Sequence, residues 1–317
     1  FPICLDTQDV DEIVRTVVHL APVFAGINLE DISAPRCFEI EARLREALDI
    51  PVFHDDQHGT AIVTLAALTN ALKVVGKDLG TVRVVMSGAG AAGTAVLKLL
   101  LAAGASDVVV ADVDGVVHRG RPGLAPSLAW TAEHTNPRGV TGTLKEAMRG
   151  ADVFVGLSAP DVIDGDDVAA MAPGAVVFAL ANPDPEVDPV EAARSAAVVA
   201  TGRSDFANQI NNVLAFPGVF RGLLDAQSRT IDTAMLLAAA RALAAVVADD
   251  ELNPAYIVPS VFHPDVTRVV AGAVERAARA SSGLPTPDPG GPLHDVGGHP
   301  QHPDWRGPHG ALAARPS

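Results

Sequence analysis

Two acidic doublets carry the first chemistry: Glu30-Asp31, closing an apolar run that begins at Val23, and Asp55-Asp56, directly after Pro51-Val52-Phe53-His54. Each doublet falls at the end of an expected strand, and parallel strands present their carboxyl ends to a shared crevice. If those ends adjoin, four carboxylates meet. Like charges that close raise one another's pKa unless a cation compensates, and oxygen ligands with open positions suit octahedral Mg²⁺ or Mn²⁺. The same acids could instead cap helices, since Glu30-Asp31 precede Pro35 and Asp56 precedes an apolar run from Thr60. His54 and His58 flank the second doublet, but a hard cation prefers oxygen.

A second constellation is Gly88-Ala89-Gly90-Ala91-Ala92-Gly93, a G-x-G-x-x-G between an expected strand (Val82 to Met86) and an expected helix (Thr94 to Ala103). The first glycine permits the tight turn, the second lets backbone approach a pyrophosphate, and the third lets helix pack on strand. Amides at the helix N-terminus face the anion. Asp112 ends the next strand, where a carboxylate accepts from a ribose 2′-hydroxyl, which favours NAD; Arg119 and Arg121 could neutralise a 2′-phosphate, so NADP stays open. Asn182-Pro183 follows a further strand and Asn211-Asn212 precedes Val213 to Phe216. Asn amides can orient a carboxylate or a nicotinamide amide, or serve as turns and caps.

The elements that must hold these residues are readable from periodicity. Asp9 with Glu12 resembles a capping box opening a helix, Val23 to Leu29 reads as a buried strand, and Pro35 starts a helix running to Leu48. Pro51 to Phe53 is a short strand, His54 to Gly59 a polar turn, and Thr60 to Val75 an apolar helix, hence buried. Strands then alternate with helices or turns at Val82 to Met86, Val108 to Ala111, Val153 to Val155, Val176 to Leu180 and Val198 to Ala200. That alternation argues for a parallel, doubly wound α/β sheet. Two helices, about Ile231 to Val247 and Val266 to Ala280, read as packing elements.

The 317 residues, 48% apolar, suffice for roughly two domains. A net charge of −15 repels nucleic-acid phosphates and anionic membranes, so neither partner is expected. No uncharged apolar run of spanning length and no signal-peptide pattern is visible in the given residues, and a cytoplasmic protein is expected. Cys4 and Cys37 are expected to be reduced and packed as small hydrophobes. From Ser281 the chain turns to Gly, Pro and His, and a disordered tail is expected; His294, His299, His302 and His309 there lack fixed geometry.

Taken together, Val23 to Ile32, Pro51 to Thr60, the Gly88 to Gly93 loop, Ala181-Asn182-Pro183, Asn211-Asn212 and Phe216-Pro217-Gly218 resemble malic enzymes of the bacterial short form, over about Phe1 to Ala280. The resemblance implies a Rossmann domain with a partial, discontinuous α/β substrate and metal domain. Its parts would be residues 1–58 for substrate and metal, 59–211 for NAD(P), 212–280 for helices returning to the substrate domain, and 281–317 for the tail. It also implies oxidative decarboxylation of malate to pyruvate with reduction of NAD or NADP, dependence on Mg²⁺ or Mn²⁺, and a homo-oligomer, a dimer. Glu30, Asp31 and Asp56 match the metal-binding carboxylates, and Asp55 matches the acid that positions a catalytic lysine. Asn182 and Asn212 match residues lining the substrate and nicotinamide pocket, with Gly88 to Gly93 and Asp112 binding the dinucleotide.

The family's lysine base and tyrosine acid lie upstream of the block that here begins at Phe1, and Lys73, Lys77, Lys98, Lys145 and Tyr256 match neither. A homodimer would not supply them, since its partner carries the same sequence. The chain as given is therefore expected to bind dinucleotide and turn over poorly. Malolactic chemistry (malate to lactate), a non-catalytic dinucleotide-binding remnant and an amino-acid dehydrogenase are the competing readings.

Overall fold

The computed structural model describes residues 1–283. In chain order the elements are α1 (Val10–Leu20), β1 (Ile27–Leu29), α2 (Arg36–Ala47), β2 (Val52–His54), α3 (Thr60–Val75), β3 (Arg83–Ser87), α4 (Ala91–Ala102) and β4 (Asp107–Asp112). They continue with β5 (Gly115–Val116), α5 (Pro126–His134), α6 (Leu144–Met148), β6 (Val153–Gly156), α7 (Gly165–Ala169), β7 (Val176–Ala179) and α8 (Pro189–Ala192). The last are β8 (Val198–Thr201), α9 (Phe216–Asp225), α10 (Thr233–Ala244) and α11 (Val266–Ser281).

The strands form two sheets: a parallel pair, β1-β2, and a six-stranded sheet in the order β5-β4-β3-β6-β7-β8. Within the larger sheet every pairing is parallel except β4 with β5. Its strands are buried on both faces, as helical crossovers require. Val84, Met86, Val108, Val110, Val155 and Phe178 point into one apolar layer; Val85, Val109, Phe154 and Val177, one residue out of phase, point into the other. The expected doubly wound α/β architecture is therefore what the chain adopts. The first layer is closed by α3, α4 and α9 to α11, and the buried Asn70 amide ties α3 to the Ala244 and Ile257 carbonyls at 2.9 Å each.

Several elements differ from expectation. Strand β1 is only Ile27–Leu29, because Pro22 starts a 3₁₀ turn over Ala21–Val23 that leaves Val23 exposed. The segment after His54 is not a polar surface turn. Asp55–Gly59 forms a π-helical turn continuous with α3, and Asp55, Gln57 and Gly59 are buried. Asp9 caps α1 through the Glu12 amide, but the Glu12 carboxylate takes the Thr7 hydroxyl (2.6 Å), so the capping box is only half made. Cys37 is buried as expected, whereas Cys4 is exposed, in a stretch without regular structure. Helix α4 starts inside the glycine motif, at Ala91, and α10 is shorter than expected at both ends. The helical run Asp55–Val75 is long and apolar enough to cross a membrane by length and composition, though its ends carry Asp55, Asp56 and Lys73, and 67% of its most apolar window is buried inside the fold. All but Ser281, Ser282 and Gly283 of the expected tail, with its histidines, lies outside the described residues.

Candidate active site

The register of the small sheet settles how the two doublets meet. Leu29 pairs with His54, so Glu30-Asp31 and Asp55-Asp56 leave adjacent strands at the same end. Asp31 adopts a positive φ of 57°, and its N–H donates to Asp56 Oδ2 at 2.9 Å. Asp55 is 1% exposed and its Oδ1 has no hydrogen-bond partner. Burial, and then the charges of Glu30 and Asp56, push the Asp55 carboxyl up to about 7. Glu30 is raised too, by burial and then by Asp56 and Asp31. Glu30 thus lies within electrostatic reach of the other three carboxyls, and Asp55 within reach of Glu30 and Asp56.

They are not an assembled ligand set. Among the described residues, no three His, Cys, Asp or Glu side chains stand ready to hold a metal ion. One Asp56 oxygen faces the Asp31 amide, while Glu30 and Asp31 are exposed. By charge and donor chemistry the cluster fits a divalent cation: hard oxygen donors, mutual repulsion and an orphaned buried carboxylate oxygen. Converging Glu30, Asp31 and Asp56 on one ion requires side-chain rotation.

Neither neighbouring histidine joins the acids. His58 Nε2 lies 2.6 Å from Glu41 Oε1, and Arg45 (2.8 Å) and Gln57 (3.2 Å) complete that group. Burial alone would raise Glu41; the hydrogen bond and charge of His58, with Arg45, hold it below the usual range. His54 is fully buried with both ring nitrogens unpartnered, and burial holds it below the ordinary histidine value. Sequence reasoning missed Glu41. Its signal was an acid on the buried stripe of α2, beside Cys37, Ile40 and Leu44.

Gly59 joins the acids to the rest of the site. A Cβ there would collide with Asp55 Oδ1 and lie 3.1 Å from Asn212 Cβ, so Gly59 has Asp55 and Asn212 as near neighbours and leaves no room for a side chain between them. Asn211, by contrast, is a cap: its Oδ1 accepts from Val213 N–H at 3.0 Å. Asn182 is exposed just beyond β7, preceding a cis Asn182–Pro183 bond.

The glycine motif has the geometry its residue types imply. Gly88 takes φ +102°, and a Cβ there would strike the Leu157 carbonyl oxygen; at Gly93 it would strike the Gly88 carbonyl oxygen. Nothing lies within 4 Å of a Cβ built on Gly90, and no side chain caps α4, leaving its first-turn amides for an anion. At the end of β4, Asp112 is forked by Arg121 (Nη1–Oδ1 2.8 Å, Nη2–Oδ2 2.6 Å). Burial alone would raise Asp112; the Arg121 pairing holds it below the usual carboxylate range. A carboxylate suited to a 2′-hydroxyl and a guanidinium suited to a 2′-phosphate therefore stand side by side, while Arg119 is turned away to the Glu133 carbonyl (2.7 Å).

Every lysine is engaged away from the acids: Lys73 with Asp249, Lys77 with Asp152, Lys145 with Asp164 and Asp167, and Lys98 over the Trp130 ring. Tyr256 lies in a bridge with Asn253.

A doubly wound parallel sheet with a glycine-rich loop at the N-terminus of α4, beside two neighbouring acidic doublets, defines a fold of the Rossmann type. The family models identify it further: that of the malic enzyme NAD binding domain matches residues 57–279, and that of the malic enzyme N-terminal domain matches residues 6–45. The chain belongs to the malic enzyme family. It is 56% identical over 278 residues to an NAD-dependent malic enzyme of Geobacillus stearothermophilus, covering 88% of this chain and 58% of that protein. To a bifunctional malic/malolactic enzyme of Bacillus subtilis it is 50% identical over 280 residues, covering 88% and 68%. The crystal structure of an NAD-dependent malic enzyme from Thermotoga maritima superposes with a TM-score of 0.83 at 44% identity, covering 87% of this chain and 73% of that one. The chain thus spans little more than half the length of the first of these relatives.

Proposed function

We propose that this chain carries the dinucleotide cleft and the acidic half of the substrate site of an enzyme that oxidises malate by hydride transfer to NAD⁺ or NADP⁺, releasing CO₂ and pyruvate. The observation that carries this reading is the β1-β2 register, which brings Glu30-Asp31 beside Asp55-Asp56, with Gly59, next in the same turn, neighbouring Asn212. Glu30, Asp31 and Asp56 would hold a Mg²⁺ or Mn²⁺, which when bound supplies Lewis acidity to a hydroxy-acid substrate. Asn212 orients the substrate carboxylate and Asn182 the nicotinamide end. Asp55, buried and near neutral in pKa, positions the proton-transferring base. With every lysine of the chain held elsewhere, residues 1–317 by themselves are expected to bind dinucleotide but to turn malate over poorly. A net charge of −15 disfavours nucleic acid and anionic membranes as partners; the family likeness supports a small-molecule substrate, and with it we propose a cytoplasmic dimer.

The test uses the protein expressed from its whole reading frame. Malate with Mn²⁺ should yield NAD(P)H and pyruvate, and Asp56→Asn should lower kcat at least about 100-fold, as expected when transition-state charge stabilisation is lost. Turnover insensitive both to chelation and to Asp56→Asn would overturn the assignment. A second reading, conversion of malate to lactate, is favoured by the bifunctional Bacillus subtilis relative; lactate in place of pyruvate would select it.

A further inference from the structure

Glu186 belongs to none of the motifs above, yet it is fully buried at the carboxyl edge of the large sheet. Among the described residues its carboxylate has no cationic partner. Oε1 accepts the Ser158 N–H at 2.8 Å and the Ser158 hydroxyl at 3.3 Å, and Oε2 accepts the Ala181 N–H at 3.0 Å. Ser158 lies just after β6 and Ala181 just after β7, so one side chain ties together the loops leaving two neighbouring strands. Space for it exists because position 156 is glycine: a Cβ on Gly156 would collide with the Glu186 carboxyl carbon.

The tie reaches further. Ser158 Oγ lies 2.8 Å from Ser87 Oγ at the end of β3. The Ser158 hydroxyl has one proton, and with that proton donated to Glu186 Oε1 it accepts from the Ser87 hydroxyl. That fixed donor direction links the glycine-loop strand, the β6 loop and the β7 loop to one buried charge. Strand order turns at β3, with β4 on one side and β6 on the other, and ligands bind in the crevice at such a switch point. Asn182 follows Ala181 directly and is exposed there. A buried carboxylate without a cation is costly, and hydrogen bonds from two loops and a hydroxyl are what offset it.

We propose that Glu186 is a positioning residue for the nicotinamide half of the dinucleotide, holding Ser158 and the Ala181-Asn182 turn at the switch point through its hydrogen bonds to both loops. The inference rests on the dinucleotide-binding reading above and adds to it which end of the ligand this carboxylate serves. Asp112, which serves the adenine ribose in that reading, is held by Arg121 and has no hydrogen bond to Glu186 or Ser158 among the described residues.

The test compares NADH with ADP-ribose, which lacks the nicotinamide, by calorimetric titration of the 317-residue chain, with bound-NADH fluorescence as a spectroscopic signature. Glu186→Gln keeps size but turns an amide donor onto one of the two loop N–H groups. It should weaken NADH about tenfold, in line with losing a charged hydrogen bond, and diminish the fluorescence change, with ADP-ribose affinity altered less than about twofold. Ser158→Ala, an exposed and milder change, should weaken NADH about threefold with ADP-ribose again unaltered, and it decides the matter if Glu186→Gln does not fold. NADH affinity unaltered in the folded variants, or both ligands weakened equally, would overturn the proposal. Wild-type protein binding neither ligand would instead overturn the dinucleotide reading, and the proposal with it.

Discussion

The dinucleotide cleft and the acidic patch are built in opposite ways. The cleft is made of backbone: Gly88, Gly90 and Gly93 matter for the atoms they lack, and the amides of α4 are in place whatever the side chains do. The patch is made of side chains from two strands far apart in sequence. Its backbone register is fixed, but its oxygens do not converge on one point. A backbone site is complete once the chain folds, whereas a carboxylate cluster is held apart by its own repulsion until a cation removes the reason to separate.

The contrast predicts different failures. Gly93→Ala pushes a methyl group against the Gly88 carbonyl oxygen, where backbone must move. It should cost about 3 kcal/mol of stability by overpacking, and the displaced loop should lose NADH affinity by about 100-fold or more, read by denaturant unfolding and calorimetry. Native-like NADH binding in this variant would show that the loop is not the cradle. In the patch, the raised Asp55 carboxyl sets a pH dependence. With its folded pKa at about 7 against 3.8 for the ordinary group, the folded state keeps a proton that the unfolded chain releases. Its stabilising contribution is therefore full below the ordinary value and is lost as pH rises through about 7, at most about 4 kcal/mol. Without added metal, the melting temperature of wild type should fall between about pH 5 and pH 8, and that of Asp55→Asn should change far less. Equal slopes for the two proteins would remove Asp55 as the source.

The same contrast explains what the sequence could reveal. Glycine spacing between strand and helix is local, so the loop, the helix that follows it and the parallel strands were readable, whereas the antiparallel edge strand β5 and the short helices α5 to α8, which carry little periodicity, were not. The doublets were readable as candidates, but their meeting depended on a pairing between β1 and β2 that no local pattern encodes. The π-helical turn over Asp55–Gly59 has the composition of a polar surface turn, and its burial comes from packing on elements distant in sequence, with Gln57 bonded to Glu41 of α2. Glu186 was invisible for a similar reason: a single acid in a proline-rich loop has no periodicity, and its partners at Ser158 and Ala181 are set by how β6 and β7 pair.

The measurement that bears most directly on the acidic patch is Mn²⁺ binding, followed by calorimetry and electron paramagnetic resonance in wild type, Glu30→Gln and Asp56→Asn. If carboxylates from both strands share one cation, wild type binds a single tight ion per chain and each substitution alone weakens it by at least about tenfold, a difference of about 1.4 kcal/mol. Absence of a tight site in wild type, or a site indifferent to either substitution, would contradict the account.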